Sequence, residues 1–365
     1  MVKRETRKTP PLAQLYVYTT NVCNCACKHC WIIAGASSSK NKRPPFLPVD
    51  LFEAAVREAR PLGLSAVKWT GGEPTIHPEF PRLLRLQKKY KLVGRLETNG
   101  LEMSLELARL LAKSRVDHVS VSLDGATAST HDAIRGVKGA FRRALKGVGN
   151  LVKAGFRPQI IMTLMRENVR ELDALLVLAA RAGAGSVKFN IVQPTLRGDA
   201  LHQAGQTLTI QELLEINRRL NLDGGRKHKI RIFMDVPIAF RSIRKILDGD
   251  GCSVCGIFTI LGLLADGSYA LCGIGESVPE LVFGRAGETP LKTVWESNPV
   301  LVRLRDGLPN RLTGVCGRCL MKGACLGSCV AQTYYRTQDI LGAFWFCERA
   351  EAEGLFPRTR LRSAS

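Results

Sequence analysis

From residue 15 to residue 237 the chain alternates between short β-branched or aromatic runs and longer amphipathic ones. "LYVYTT" (15–20), "SAVKWTG" (65–71), "LVGRLETNG" (92–100), "VDHVSVSLDG" (116–125), "RPQIIMTLM" (157–165), "SVKFNIVQP" (186–194) and "KIRIFMDVP" (229–237) have the composition of strands, several ending in a turn. Between them, 49–60, 78–90, 104–114, 140–155, 169–183 and 209–221 place apolar residues at helical spacing. In the first helix Asp50, with Glu53 three residues on, has the spacing of a capping box, and Gly155 suits the close of the fourth. Parallel strands need a crossover between them, so this rhythm predicts an α/β fold, a partial (β/α)6 TIM-like barrel. Barrel chemistry sits on loops at the C-terminal ends of strands. "TTNVCNCACKHC", "WTGGEPT", "ETNG" and "SLDGAT" all occupy that position and are expected to meet at one mouth.

After about residue 250 the alternation stops. The rest is glycine-rich and dotted with cysteines, the pattern of a small domain held by metal rather than by a large apolar core. The expected division is a basic N-terminal extension (1–14), the barrel (15–240), the cysteine-rich domain (241–348) and a basic tail (349–365). A 45% hydrophobic and 23% charged composition excludes wholesale disorder. No apolar run reaches a membrane span, and the basic N-terminus lacks an apolar h-region, so the expected location is the cytoplasm. In that reducing compartment twelve cysteines point to metal or redox chemistry rather than disulfides.

Four of those cysteines fall within eight residues: Cys23, Cys25, Cys27 and Cys30. Cys23, Cys27 and Cys30 make a C-x3-C-x2-C set. Three thiolates on one short loop can hold three irons of a cubane cluster and leave the fourth open to a substrate. Zinc would need a fourth ligand, for which His29 is the available residue.

The set resembles the signature of the radical S-adenosylmethionine (radical SAM) enzymes, with His29 at the position that is usually aromatic. "GGEP", Gly71, Gly72, Glu73 and Pro74, is similar to the family's second motif, where the methionine amino group binds. The glycines suit a close approach of backbone to ligand, and Glu73 can accept from a cation. In "SVSLDG…HDAIRG", Ser122 and Arg135 stand where the family contacts the cofactor's ribose and carboxylate; Asp124 suits an Asx turn before Gly125. The resemblance implies a [4Fe–4S] cluster whose open iron chelates S-adenosylmethionine. Reductive cleavage then gives a 5′-deoxyadenosyl radical that removes hydrogen from a substrate. Cys25 is left without a role beside that cluster.

Downstream, Cys255 to Cys272 is spaced C-x11-G-x4-C, and Cys316, Cys319, Cys325 and Cys329 follow as C-x2-C-x5-C-x3-C before Cys347. This resembles the SPASM extension of the same enzymes, so the likeness runs from about 15 to 348. It implies two auxiliary [4Fe–4S] clusters, three in all. Cys252, Cys255, Cys272 and Cys329 would hold the nearer and Cys316, Cys319, Cys325 and Cys347 the farther. Cys252 lies outside the seven-cysteine pattern but supplies the eighth thiolate.

The resemblance implies a peptide or protein substrate, crosslinked or oxidised by a maturase, with tetrapyrrole modification in haem synthesis as the alternative. Gly273 follows Cys272 where the sulfatase-maturing branch has an Asp base. The candidate acid/base groups here are Asp235, at a strand end, and Glu276. Only 22 residues precede Cys23, too few for a winged-helix leader-binding domain, so a separate leader-peptide-binding protein is expected. The net charge of +21 raises nucleic acid as a partner. The basic residues are dispersed, however, and no aromatics interleave with them as stacking platforms, so no nucleic acid is expected; a non-catalytic RNA-binding cluster module is the alternative of a different class. Two four-thiolate clusters and one three-thiolate cluster would bring the charge to roughly +16. That basic surface suits an acidic flavodoxin or ferredoxin as electron donor, and an anionic substrate.

Overall fold

The structure is a computed structural model that describes residues 9–32, 46–228, 230–247 and 255–362, without the side chains of 223–228, 245 and 276. Six strand–helix units come first. They are β1 (Gln14–Tyr18) with α1 (Val49–Ala59), β2 (Ala66–Thr70) with α2 (Phe80–Lys89), and β3 (Val93–Thr98) with α3 (Leu105–Lys113). β4 (Val116–Ser122) is followed by α4 (Ala128–Arg135) and α5 (Ala140–Lys153), and β5 (Gln159–Leu164) by α6 (Leu172–Arg181). β6 (Ser186–Ile191) is followed by α7 (Arg197–Gln203) and α8 (Ile210–His228), and β7 (Arg231–Met234) completes the series.

β1 to β7 pair in sequence order, every neighbour parallel. The alternation therefore builds the partial barrel that it predicts. The same sheet continues on the other side of β1. β8 (Ile260–Leu263) joins it in parallel, Leu15 opposite Leu261, and β9 (Ser268–Ala270) and β10 (Val282–Arg285) add antiparallel strands. β7 and β10 end the sheet, so the curl stays open.

The C-terminal region is thus not held by metal in place of an apolar core. One hydrophobic cluster runs from Leu15 and Val67 into Leu261, Tyr269, Leu271, Trp295 and Phe346. Trp295 Nε1 donates to the Pro10 carbonyl at 2.8 Å, and the Leu291 N–H to the Glu58 carboxylate at 2.6 Å, tying that region to the barrel's outer layer.

One local expectation changes, and two helices appear that the sequence did not announce. The first helix begins at Val49 with Pro48 as its cap, not at Asp50, which lies in the first turn; Glu53 instead pairs with Lys89 of α2 at 2.7 Å. The helices α4 and α7 carry too few apolar residues to show a period. α4 exists because Thr127 caps it, accepting from the Thr130 N–H, and because its final Ile134 and Arg135 are buried.

The strands bury Leu15, Val17, Val67, Trp69, Leu96, Val119, Val121, Ile160, Met162, Val187 and Phe189. The alternate positions line the barrel interior and are mostly polar: Tyr16, Lys68, Arg95, Glu97, Ser120, Thr163, Lys188 and Asn190 among them. Closed TIM barrels fill that space with branched apolar side chains. Here two cavities remain, one above the other.

Candidate functional site

The cysteine loop leaves β1 and is sewn to both neighbours. Thr20 and Val22 carbonyls accept from the Gly72 and Glu73 N–H groups at 2.7 and 2.9 Å. On the other side, the Ala26 and Lys28 N–H groups donate to the Arg135 and Ile134 carbonyls at 2.9 and 3.0 Å. The glycines have a further use beyond the one expected. A Cβ on Gly72 would lie 2.0 Å from the Val22 carbonyl oxygen, and one on Gly71, at φ +119°, 2.6 Å from that of Thr20. They admit the cysteine loop on one side and also line the cleft beside it.

Cys23, Cys27 and Cys30 open on a cleft with about 970 Å³ of empty volume, shared with His29, Gly71, Gly72, Glu73, Ser122 and Arg135. Pro74 starts the turn behind it and is buried. Sequence reasoning missed Asn99, Thr163 and Asn190, which also line the cleft. Their signal was available: each is an inward, polar position at the C-terminal end of its strand.

Glu73 is buried, and its carboxylate accepts from Thr98 Oγ1 (2.6 Å), Thr75 Oγ1 (2.6 Å) and the Asn99 N–H (2.7 Å). Burial pushes its pKa up against those bonds. Cys25 turns its thiol between Cys23 and Cys27 and hydrogen-bonds to both, which holds Cys25 protonated. The bond from Cys25, with the charges of Arg135 and His29, brings Cys27 down to about 5 despite its burial.

Arg135 Nη1 donates to Cys27 Sγ at 3.4 Å, and its Nη2 stands 2.7 Å from Asp124 Oδ2. Asp124 makes no Asx turn: its Oδ1 takes the Thr163 N–H at 2.8 Å. Burial alone would raise the Asp124 pKa; Arg135 and His29 leave it below the ordinary carboxylate value. His29 Nε2 lies 3.7 Å from the same carboxylate, and desolvation lowers its pKa.

Every described cysteine is a free thiol. Cys255, Cys272 and Cys329 lie within electrostatic reach of one another, and burial raises all three, Cys255 to about 12. Cys316, Cys319, Cys325 and Cys347 line a separate cavity of about 300 Å³. Cys252 lies outside the described residues. Among the described residues no three His, Cys, Asp or Glu side chains are set to hold a single metal ion. Cubane thiolates each bind a different iron, and Cys23, Cys27 and Cys30, like Cys316, Cys319, Cys325 and Cys347, line cavities instead.

The Radical SAM superfamily profile matches residues 17–179. The AdoMet-dependent heme synthase of Methanosarcina barkeri is 30% identical over 336 residues, 89% of this chain and 93% of that protein. The chain belongs to the radical SAM superfamily. The mycofactocin maturase MftC of Mycobacterium tuberculosis is 28% identical over 348 residues, 93% of this chain and 84% of that protein. Among solved structures, Streptococcus suis SuiB bound to its precursor peptide SuiA shares the fold at a TM-score of 0.73 and 16% identity, covering 93% of this chain and 76% of that one. The enzyme anSMEcpe with bound AdoMet does so at 0.71 and 17%, covering 93% and 95%.

Radical SAM enzymes bind a [4Fe–4S] cluster and S-adenosylmethionine, and the cleft fits such a pair. Three thiols face it, and three of its lining residues carry buried polar atoms without a hydrogen-bond partner among the described residues: His29 Nδ1, Arg135 Nε and Asn190 Oδ1. These are the donors and acceptors a polar cofactor would satisfy.

Of the expected acid/base groups in this radical SAM enzyme, Asp235 follows β7, stands 3.9 Å from Lys188 Nζ, and its charge reaches Cys329. The backbone of Glu276 ends a short turn after Cys272, and its side chain is not described. Glu97, not singled out in the sequence, lines both interior cavities. Among the described residues no helix is long and apolar enough to cross a membrane.

Proposed function

We propose that this radical SAM enzyme is a maturase of the SPASM type that abstracts hydrogen from a ribosomally made peptide or protein. The observation that carries the reading is the likeness to mycofactocin maturase, which spans 93% of the chain and so runs through both the barrel and the C-terminal thiols. Cys23, Cys27 and Cys30 would hold the cluster at the cleft. Cys255, Cys272 and Cys329, with Cys252, would hold the nearer auxiliary cluster, and Cys316, Cys319, Cys325 and Cys347 the farther. The domain division at 240/241 and the span to 348 follow from that assignment.

When bound, the cluster and S-adenosylmethionine supply a 5′-deoxyadenosyl radical for hydrogen abstraction. The chain's own residues do the rest. Glu73 Oε1 accepts from Thr75 and Thr98, which fixes the loop, while Oε2 takes only the Asn99 N–H and has a lone pair left to accept from the cofactor's ammonium. Arg135, Ser122 and Asn190 orient the cofactor's polar groups. Asp124 holds Arg135 in place. Glu97, which lines both cavities, or Asp235, beside Lys188, would take a proton from the oxidised substrate. The net charge of +21 would steer an acidic flavodoxin or ferredoxin, and a separate leader-peptide-binding protein would present the substrate.

A second reading, tetrapyrrole side-chain modification, is favoured by the heme synthase relative and by the Fe-coproporphyrin III synthase of Methanosarcina barkeri, 25% identical over 352 residues. One anaerobic experiment tests both. The reconstituted chain should carry about twelve irons and release 5′-deoxyadenosine with dithionite and S-adenosylmethionine. Mass spectrometry then follows a mycofactocin-type precursor peptide and Fe-coproporphyrin III in parallel. A mass change confined to the peptide supports the first reading, and one confined to the porphyrin replaces it. An iron-free chain that releases no deoxyadenosine overturns both.

A further inference from the structure

Beneath the cofactor cleft the barrel holds a second cavity with about 850 Å³ of empty volume. Tyr16, Lys68, Arg95, Glu97, His118 and Lys188 are among its walls, and Glu97 also faces the cleft above, so the two spaces meet at that side chain. A barrel interior has no structural need for lysines. Desolvation costs them, and a branched apolar residue would fill the space at no such cost.

The two lysines differ in how they are satisfied. Lys68 Nζ lies 2.7 Å from Glu97 Oε1 and 4.8 Å from the centre of the Tyr16 ring. Burial works against its charge, and Glu97 and Tyr16 more than restore it. Lys188 has nothing comparable. About three-quarters of its side chain is out of water, yet its ammonium makes no hydrogen bond among the described residues, and its nearest carboxylate, on Asp235, is 3.9 Å away. Three charged donors therefore face a cavity without an acceptor at bonding distance.

Lys188 is also placed for a ligand that enters from above. It lies two residues before Asn190 on β6, so its Cα is about 7 Å deeper along the strand than the residue that faces the cleft. A substrate whose reacting carbon sits at the cleft would carry a group several bonds away down to this floor.

We infer that Lys188, backed by the Lys68–Glu97 pair, binds a carboxylate of the substrate on the floor of the barrel. Glu97 keeps Lys68 charged. The site selects substrates that carry an acid at a fixed distance from the carbon that loses hydrogen. This inference rests on the proposed function, in that the reacting carbon is taken to lie in the cleft above. A peptide carboxylate and a porphyrin propionate share the required chemistry.

The test is a binding measurement on the anaerobically reconstituted enzyme with two pairs of probes. One pair is a mycofactocin-type precursor peptide with all carboxyl groups free or all amidated. The other is Fe-coproporphyrin III as the free acid or the tetramethyl ester. For one pair the free acid should bind at least about ten-fold more tightly than its capped form, the range expected for a charge-assisted hydrogen bond. The pair that shows the preference names the source of the carboxylate. Lys188→Gln should erase the preference and Lys188→Arg should restore part of it, with thermal unfolding confirming that both variants fold. Equal binding of acid and capped forms in both pairs, or a preference that survives Lys188→Gln, overturns the inference. If deoxyadenosine is released in either of those cases, the radical reading stands without it. No deoxyadenosine release at all is a failure of that reading instead.

Discussion

Arg135 reaches across from the end of α4 to donate an N–H to the sulfur of Cys27 at 3.4 Å, in a chain whose sequence separates the two by 108 positions. The bond is aimed by Asp124, 2.7 Å from the other terminal nitrogen of the same guanidinium. A positive donor on a cluster thiolate favours the reduced, more negative cluster. Arg135→Gln should therefore shift the potential of the cluster held at Cys27 to a more negative value in a spectroscopic redox titration. An unchanged potential would show that the contact is structural only. Asp124→Asn leaves the buried guanidinium without its charge partner and should cost about 3–5 kcal/mol of stability in chemical denaturation.

The four clustered cysteines should separate into three and one. Replacing Cys23, Cys27 or Cys30 with Ala is expected to remove the iron of one cluster and abolish deoxyadenosine formation. Cys25 faces its neighbours' sulfurs and does not line the cleft. Cys25→Ala should therefore retain full iron content by chemical assay; equal iron loss at all four positions would contradict the assignment.

Two glycine substitutions should have opposite signs. Gly72→Ala puts a methyl group 2.0 Å from the Val22 carbonyl, where only backbone can yield, and should lose about 3 kcal/mol or more and weaken S-adenosylmethionine binding. Gly149 lies in α5 with nothing within 4 Å of its added Cβ. Gly149→Ala should gain about 0.5–1 kcal/mol through helix propensity. Thermal unfolding of the two variants beside the parent checks both signs.

His131 makes stability fall in mild acid. Its Nδ1 accepts the Asp124 N–H at 3.0 Å, so the folded chain requires the neutral ring, and burial, with Arg135 nearby, lowers its pKa to about 4. An unfolded histidine titrates near about 6.5. Between those values the unfolded chain binds the extra proton, so stability rises with pH. The contribution is fully present above the unfolded value and is lost as pH falls toward 4, at most about 3 kcal/mol. His29, His77, His118 and His202 are lowered in the same direction, so His131→Asn should shrink the change in urea midpoint between pH 7 and pH 5 rather than remove it. An unaltered pH slope in that variant would refute the assignment.

The strand–helix order and the spacing of the cysteines were determined by the sequence itself, because both are local. A strand or helix announces itself within a dozen residues, and thiols on one loop stay neighbours whatever else the chain does. The tertiary structure decided everything that depends on which distant segments meet. β8 is four residues of "ILGL", too short to identify, and becomes a strand by pairing with β1. Arg135, on a polar helix with no visible period, could as well be a surface charge; its burial depends on Asp124 and Cys27 arriving from two other elements. The polar alternation of Arg95, Glu97 and Asn99 was present in the letters, but period two does not say which face of a strand looks inward. Only the curl of the sheet turned Lys68, Glu97 and Lys188 into the walls of one cavity, because burial belongs to the packed surface and not to the strand.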